Sequence, residues 1–95
     1  MIDGNIAEFI DQLYYGQEIV FIYKGKKYFI QGWWSEDKSE TTMVLTEVNE
    51  KPFEGYIWEH HADKMSDCAE AFLDAPIWGG KNFIQIQEDV TWGDW

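Results

Sequence analysis

Ninety-five residues suit one domain with one core, because a chain this short cannot divide its apolar surface between two. Eighteen carboxylates face seven lysines and no arginine, a net charge of −11 that repels a polyanion and withholds the bidentate fork used on phosphates and base edges. Direct nucleic-acid binding is thereby disfavoured, whereas a cationic protein surface would be attracted.

Cys68, the sole cysteine, cannot form an internal disulfide, so a reducing cytoplasm is the expected compartment. The opening Met1-Ile2-Asp3-Gly4-Asn5 lacks the basic flank and apolar run of a signal peptide, and no stretch reaches the length of a membrane span. Neither export by that route nor membrane insertion is expected.

In chain order, Ile2, Ile6, Phe9, Ile10 and Leu13 fall at helical spacing. Asn5 and Glu8 form a candidate capping box and Gly16 a stop, which predicts a helix over about 5–15. Two β-branched and aromatic runs, 18–24 and 26–34, then flank Gly25 and predict a hairpin. A two-residue loop at Lys24-Gly25 would set Phe21 opposite Tyr28 and Ile19 opposite Ile30. Val20 and Phe29 would share the other face, so the hairpin is either covered on both sides or covered by helix on one and partly open on the other.

Residues 42–48 and 56–60, joined by a turn around Asn49-Glu50-Lys51-Pro52, read as two more strands and complete a four-stranded antiparallel meander. Asp67 and Glu70 suit the start of a second helix that runs to about Ala75, where Pro76 ends it. From Asn82 the spacing of Phe83, Ile86 and Val90, with Asn82 and Gln85 as a cap pair, favours a further helix over a strand. The expected class is α+β, residues 1–95 as a single domain: an N-terminal helix, the meander, and one or two C-terminal helices.

No constellation of residues points to catalysis. His60 and His61, on a strand, would point to opposite faces, which works against shared metal ligation. Cys68 lies in the apolar stripe with Phe72 and reads as a buried thiol. Gly25-Lys26 and Gly79-Gly80-Lys81 lack the spacing of a phosphate-binding loop and read as turns. Lys24, Lys26 and Lys27 crowd the hairpin tip, where solubility and edge protection account for them. No enzyme activity, cofactor or metal is therefore expected.

The second helix is more suggestive. Asp67, Glu70 and Asp74 recur at spacings of three and four, in a stripe opposite Cys68, Phe72 and Leu73, and Asp63 extends the row. Neighbouring carboxylates on such a stripe lie roughly 5–6 Å apart, comparable with phosphates along a nucleic-acid strand. The plain alternative is the solvated face of an amphipathic helix. Of the tryptophans, Trp33 and Trp34 must face opposite ways on a strand, one toward the core and one toward solvent. Trp78 is expected as a lid on the core, and Trp92 and Trp95 as lids or interface anchors.

The hairpin text from Tyr15-Gly16 through Gly25-Lys26-Lys27-Tyr28-Phe29-Ile30-Gln31-Gly32-Trp33, with Cys68-Ala69-Glu70-Ala71-Phe72-Leu73-Asp74-Ala75-Pro76, resembles short acidic proteins of Gram-positive bacteria, their phages and mobile elements. Those proteins have no assigned activity, so the resemblance implies a shared fold and no site. Small acidic proteins of phages and mobile elements include inhibitors of host nucleases, anti-CRISPR proteins among them.

The leading expectation is a cytoplasmic protein-interaction domain, monomeric or a small homo-oligomer. It would dock Asp63, Asp67, Glu70 and Asp74 on a basic protein surface, mimicking nucleic acid, with Trp92 and Trp95 as anchors. The alternative is a small-ligand or carbohydrate-binding module that uses an exposed aromatic sheet face.

Overall fold

A computed structural model describes residues 6–48 and 55–93. Helix α1 spans Ile6–Tyr14 and strand β1 Ile19–Tyr23, followed by β2, Lys26–Trp34, and β3, Thr41–Val48. Strand β4 spans Trp58–Ala62, α2 Met65–Asp74, α3 Phe83–Ile86 and β5 Val90–Trp92. The five strands form one antiparallel sheet in the order β4-β3-β2-β1-β5. The α+β class and the meander therefore stand, with one strand more than the sequence predicts.

That extra strand corrects the C-terminal expectation. Asn82 and Gln85 do form a reciprocal capping box, but α3 lasts one turn before a 3-10 turn at Gln87–Asp89. The chain then extends, and Val90 pairs with Tyr23 instead of continuing a helix. The helical spacing survives because Phe83, Ile86 and Val90 all reach the same core from different backbone shapes.

The hairpin register is as expected, with Phe21 opposite Tyr28 and Ile19 opposite Ile30. Lys24 and Gly25 both take positive φ, 51° and 78°, as a two-residue type I′ turn requires. Gly16, at φ +68°, ends the first helix, as predicted. Asn5 and the turn at 49–52 lie outside the described residues.

Other boundaries move. Strand β4 begins at Trp58, two residues beyond the expected start, which puts His60 and His61 inside the strand instead of at its end. Helix α2 begins at Met65, capped by Lys64 without a side-chain hydrogen bond, so Asp67 sits in the first turn and is not the cap.

Alternation along the strands gives the sheet two unlike faces. One face, carrying Ile19, Phe21, Tyr28, Ile30, Met43 and Leu45, packs with Phe9 and Leu13 of α1, with Met65, Cys68 and Phe72 of α2, and with Phe83 and Ile86 of α3. Four phenylalanines fill its centre: Phe9 stacks on Phe83 at 4.4 Å and meets Phe21 edge-on at 5.8 Å, while Phe72 lies 5.6 Å from Phe83. Trp78 is the expected lid, its ring 6.0–6.2 Å from those of Phe21, Tyr23, Tyr28, Phe72 and Phe83. The opposite face carries Val20, Ile22, Phe29, Gln31, Trp33, Thr42, Val44, Glu59 and His61, and among the described residues no helix covers it. That face is not open throughout, since Val20, Thr42 and Val44 on it are buried while Trp33 and His61 are exposed.

Candidate functional site

Helix α2 turns Cys68, Ala69 and Phe72 inward, and the 3.6-residue period therefore turns Asp67, Glu70 and Asp74 outward, where all three are exposed. The inward anchor is polar as well as apolar. Thr41 Oγ1 donates to the Ala62 carbonyl at 2.9 Å, so at 3.3 Å the Cys68 thiol is the donor to that hydroxyl. Burial pushes the Cys68 thiol up from its usual range, and the charge of Asp67 beside it adds to the rise. Cys68 is thus a buried strut between α2 and the sheet.

Glu70 is tied to α1. Tyr14 Oη donates to Glu70 Oε1 at 3.4 Å, and partial burial, then the carboxylate's charge, raise the Tyr14 hydroxyl above its ordinary range. Asp63 is exposed in the connection ahead of α2, before the helical row begins. Helix α1 adds Glu8 and Asp11, also exposed, to the acidic surface on this side of the molecule. Sequence reasoning missed them, although their spacing of three, opposite Phe9 and Leu13, is the same signal that marks α2.

Trp92 stands apart from that row. It ends β5 at the sheet edge remote from β4, with its ring 5.8 Å from Phe9 and its side chain half-buried. Its remaining surface lines an open cleft of about 410 Å³ with Glu8, Gln12, Glu18, Ile19, Val20 and Gly93. The cleft thus joins an indole wall to two carboxylates. Trp95 lies outside the described residues.

Trp33 and Trp34 correct the expectation of one core and one surface residue. They do face opposite ways, but both are exposed, 40% for Trp33 and 43% for Trp34. Beside Trp33, His61 Nε2 lies 2.7 Å from Glu59 Oε2, and Nδ1 lies 2.9 Å from Thr42 Oγ1 and 3.4 Å from Glu40 Oε1. In the neutral ring the Glu59 bond fixes the proton on Nε2 and leaves Nδ1 to accept from Thr42. His60 points to the helix side and lies alongside Trp58, rings 6.0 Å apart. The two imidazoles are therefore divided by the sheet. Among the described residues no three His, Cys, Asp or Glu side chains gather as a metal group, and no helix is long and apolar enough to cross a membrane.

Fold and site together define an α+β domain with helices on one face of an antiparallel sheet and an acidic helical exterior. No protein-family model, curated protein or solved structure matches the chain.

Proposed function

We propose that this chain is a protein-interaction domain that sets the outer face of α2 on a basic surface of a nucleic-acid-handling protein, acting as an inhibitor that occupies the place of a nucleic-acid strand. The observation that carries the reading is the row Asp67, Glu70 and Asp74, exposed on α2 and, among the described residues, in no ion pair with lysine. Stability does not account for such a row, since like charges three and four apart oppose the helix.

The cleft at Trp92 supports the same chemistry. An indole flanked by Glu8 and Glu18 suits the ammonium or guanidinium of a partner's side chain, through charge and cation–π attraction.

A second reading rests on the sheet face opposite the helices, where Trp33, 40% exposed, offers aromatic surface to a sugar or other small ligand. Affinity through the acidic row falls steeply with salt, whereas stacking on the sheet is nearly indifferent to it. The test is capture of partners from a Gram-positive lysate at low and high salt, with the wild type and with D67N/E70Q/D74N. Recovery of a basic partner by the wild type at low salt alone, and its loss in the triple variant, is the expected result. The same partner recovered by both proteins at both salts refutes the acidic row.

A further inference from the structure

Two type I′ turns approach each other at one end of the helix-covered face. One is Lys24-Gly25; the other is Gly79-Gly80, at φ +61° and +86°, closed by reciprocal 3.1 Å hydrogen bonds between Trp78 and Lys81. Between them lies a hollow of about 270 Å³ lined by Tyr23, Lys24, Lys26, Tyr28, Trp78 and Gly79. Three aromatic rings form its walls, with Trp78 edge-on to Tyr23 at 72° and to Tyr28 at 89°.

The charge here has the opposite sign to the rest of the molecule. Among the described residues, two lysines and no carboxylate line this hollow, while two carboxylates and no lysine line the cleft at Trp92. Of the three lysines at the hairpin tip, alternation sends Lys27 to the other face, while Lys24 and Lys26 line the hollow. Lys24 Nζ stands 5.4 Å from the centre of the Tyr23 ring. The Trp78 Nε1 hydrogen is buried without an acceptor among the protein atoms, although buried indole donors ordinarily have one. This site therefore holds aromatic surface and two cations.

We propose that the hollow binds a small planar aromatic molecule bearing an anionic group, its ring against Tyr23, Tyr28 and Trp78 and its anion at Lys24 and Lys26. The volume admits one ring system and an acidic substituent, below the range typical of drug-sized ligands. Lysine ammonium groups act as point charges for carboxylate, sulfonate or phosphate, and the aromatic walls supply the area that an inorganic anion cannot use. The site is separate from the acidic row, and neither inference depends on the other.

Titration of the intact, ¹⁵N-labelled chain with phenyl phosphate tests it, read from the Trp78 indole resonance, which its loss in Trp78→Phe identifies, and from the Lys24, Lys26 and Gly79 amides. Expected are saturable shifts of these signals, with phenol and inorganic phosphate each binding at least about tenfold more weakly. The variant K24N/K26Q should also lose at least about tenfold. It will fold, because both sites are exposed and asparagine suits the positive φ at position 24; a well-dispersed spectrum checks this. D67N/E70Q/D74N should bind as the wild type does. The proposal is overturned by no saturable shift up to about 10 mM, by phenol or phosphate binding as tightly as phenyl phosphate, by unchanged binding in K24N/K26Q, or by shifts centred on Phe29 and Trp33.

Discussion

A Cβ placed on Gly32 would lie 2.8 Å from Met65 Sδ and 3.2 Å from Gly16 Cα. The thioether could swing aside, but the Gly16 backbone is held by the Gly32 N–H donating to its carbonyl at 3.3 Å. Gly32→Ala should therefore destabilise the fold by about 1–3 kcal/mol, a drop of several degrees or more in melting temperature, and an unchanged value would show that α2 does not press on β2 there. Asp37 is held by a different kind of contact. Its carboxylate accepts from the Ser39 hydroxyl and backbone N–H at 2.7 and 3.1 Å and from the Ser35 hydroxyl at 2.8 Å, which lowers it from 3.8 to about 2. A depressed folded-state value means the stabilisation is complete above pH 3.8 and is lost as pH falls toward 2. The wild type should accordingly melt above Asp37→Ala at pH 7, with the gap closing between about pH 4 and pH 2; a gap constant across that window would assign the loop's order to something other than the carboxylate.

At the scale of elements, α2 is a helix whose charges work against it at one end. Asp67 in the first turn favours the helix dipole, but Asp74 in the last turn opposes it and no basic residue offsets it there. Asp74→Lys should stabilise the chain by about 0.5 kcal/mol, seen in thermal melts, while weakening capture of a basic partner. A variant that gains stability and keeps full capture would remove Asp74 from the interface. The same helix shows what the sequence could and could not tell. Its inward stripe of Cys68 and Phe72 was legible, as was the β1–β2 register, because a period and a two-residue turn are local properties. Its start was not, since Lys64 caps it without the side-chain bond that marks a boundary, and Asp67-x-x-Glu70 imitates that mark three residues late. Three-residue β5 is too short for a period of two to be read, so Val90 was assigned to a helix. The acidic row was legible for the same local reason as the stripe. The Trp78 hollow was not, because positions 23–28 and 78–79 meet only when the sheet is covered.

For the whole molecule, the net charge is −11, with 18 carboxylates against seven lysines. The ion pairs recorded among the described residues are those of His61 with Glu59 and Glu40, both at the surface. Folding gathers the excess carboxylates onto a small surface, and their mutual repulsion acts against the compact state. Salt has little attraction to screen and much repulsion. Raising sodium chloride from about 10 to about 150 mM shortens the screening length from about 30 to about 8 Å, so the melting temperature of the isolated chain should rise over that range. Association with a cationic partner responds in the opposite sense, because the field that repels within the chain also steers the encounter. The association rate should fall over the same interval, and D67N/E70Q/D74N should flatten both responses by removing three of the charges concerned. Thermal melts and stopped-flow association across one salt series measure the two together. A melting temperature that falls with salt would mean that attractive pairs outweigh the repulsion, and the acidic exterior would then be part of what holds the fold instead of a surface kept for a partner.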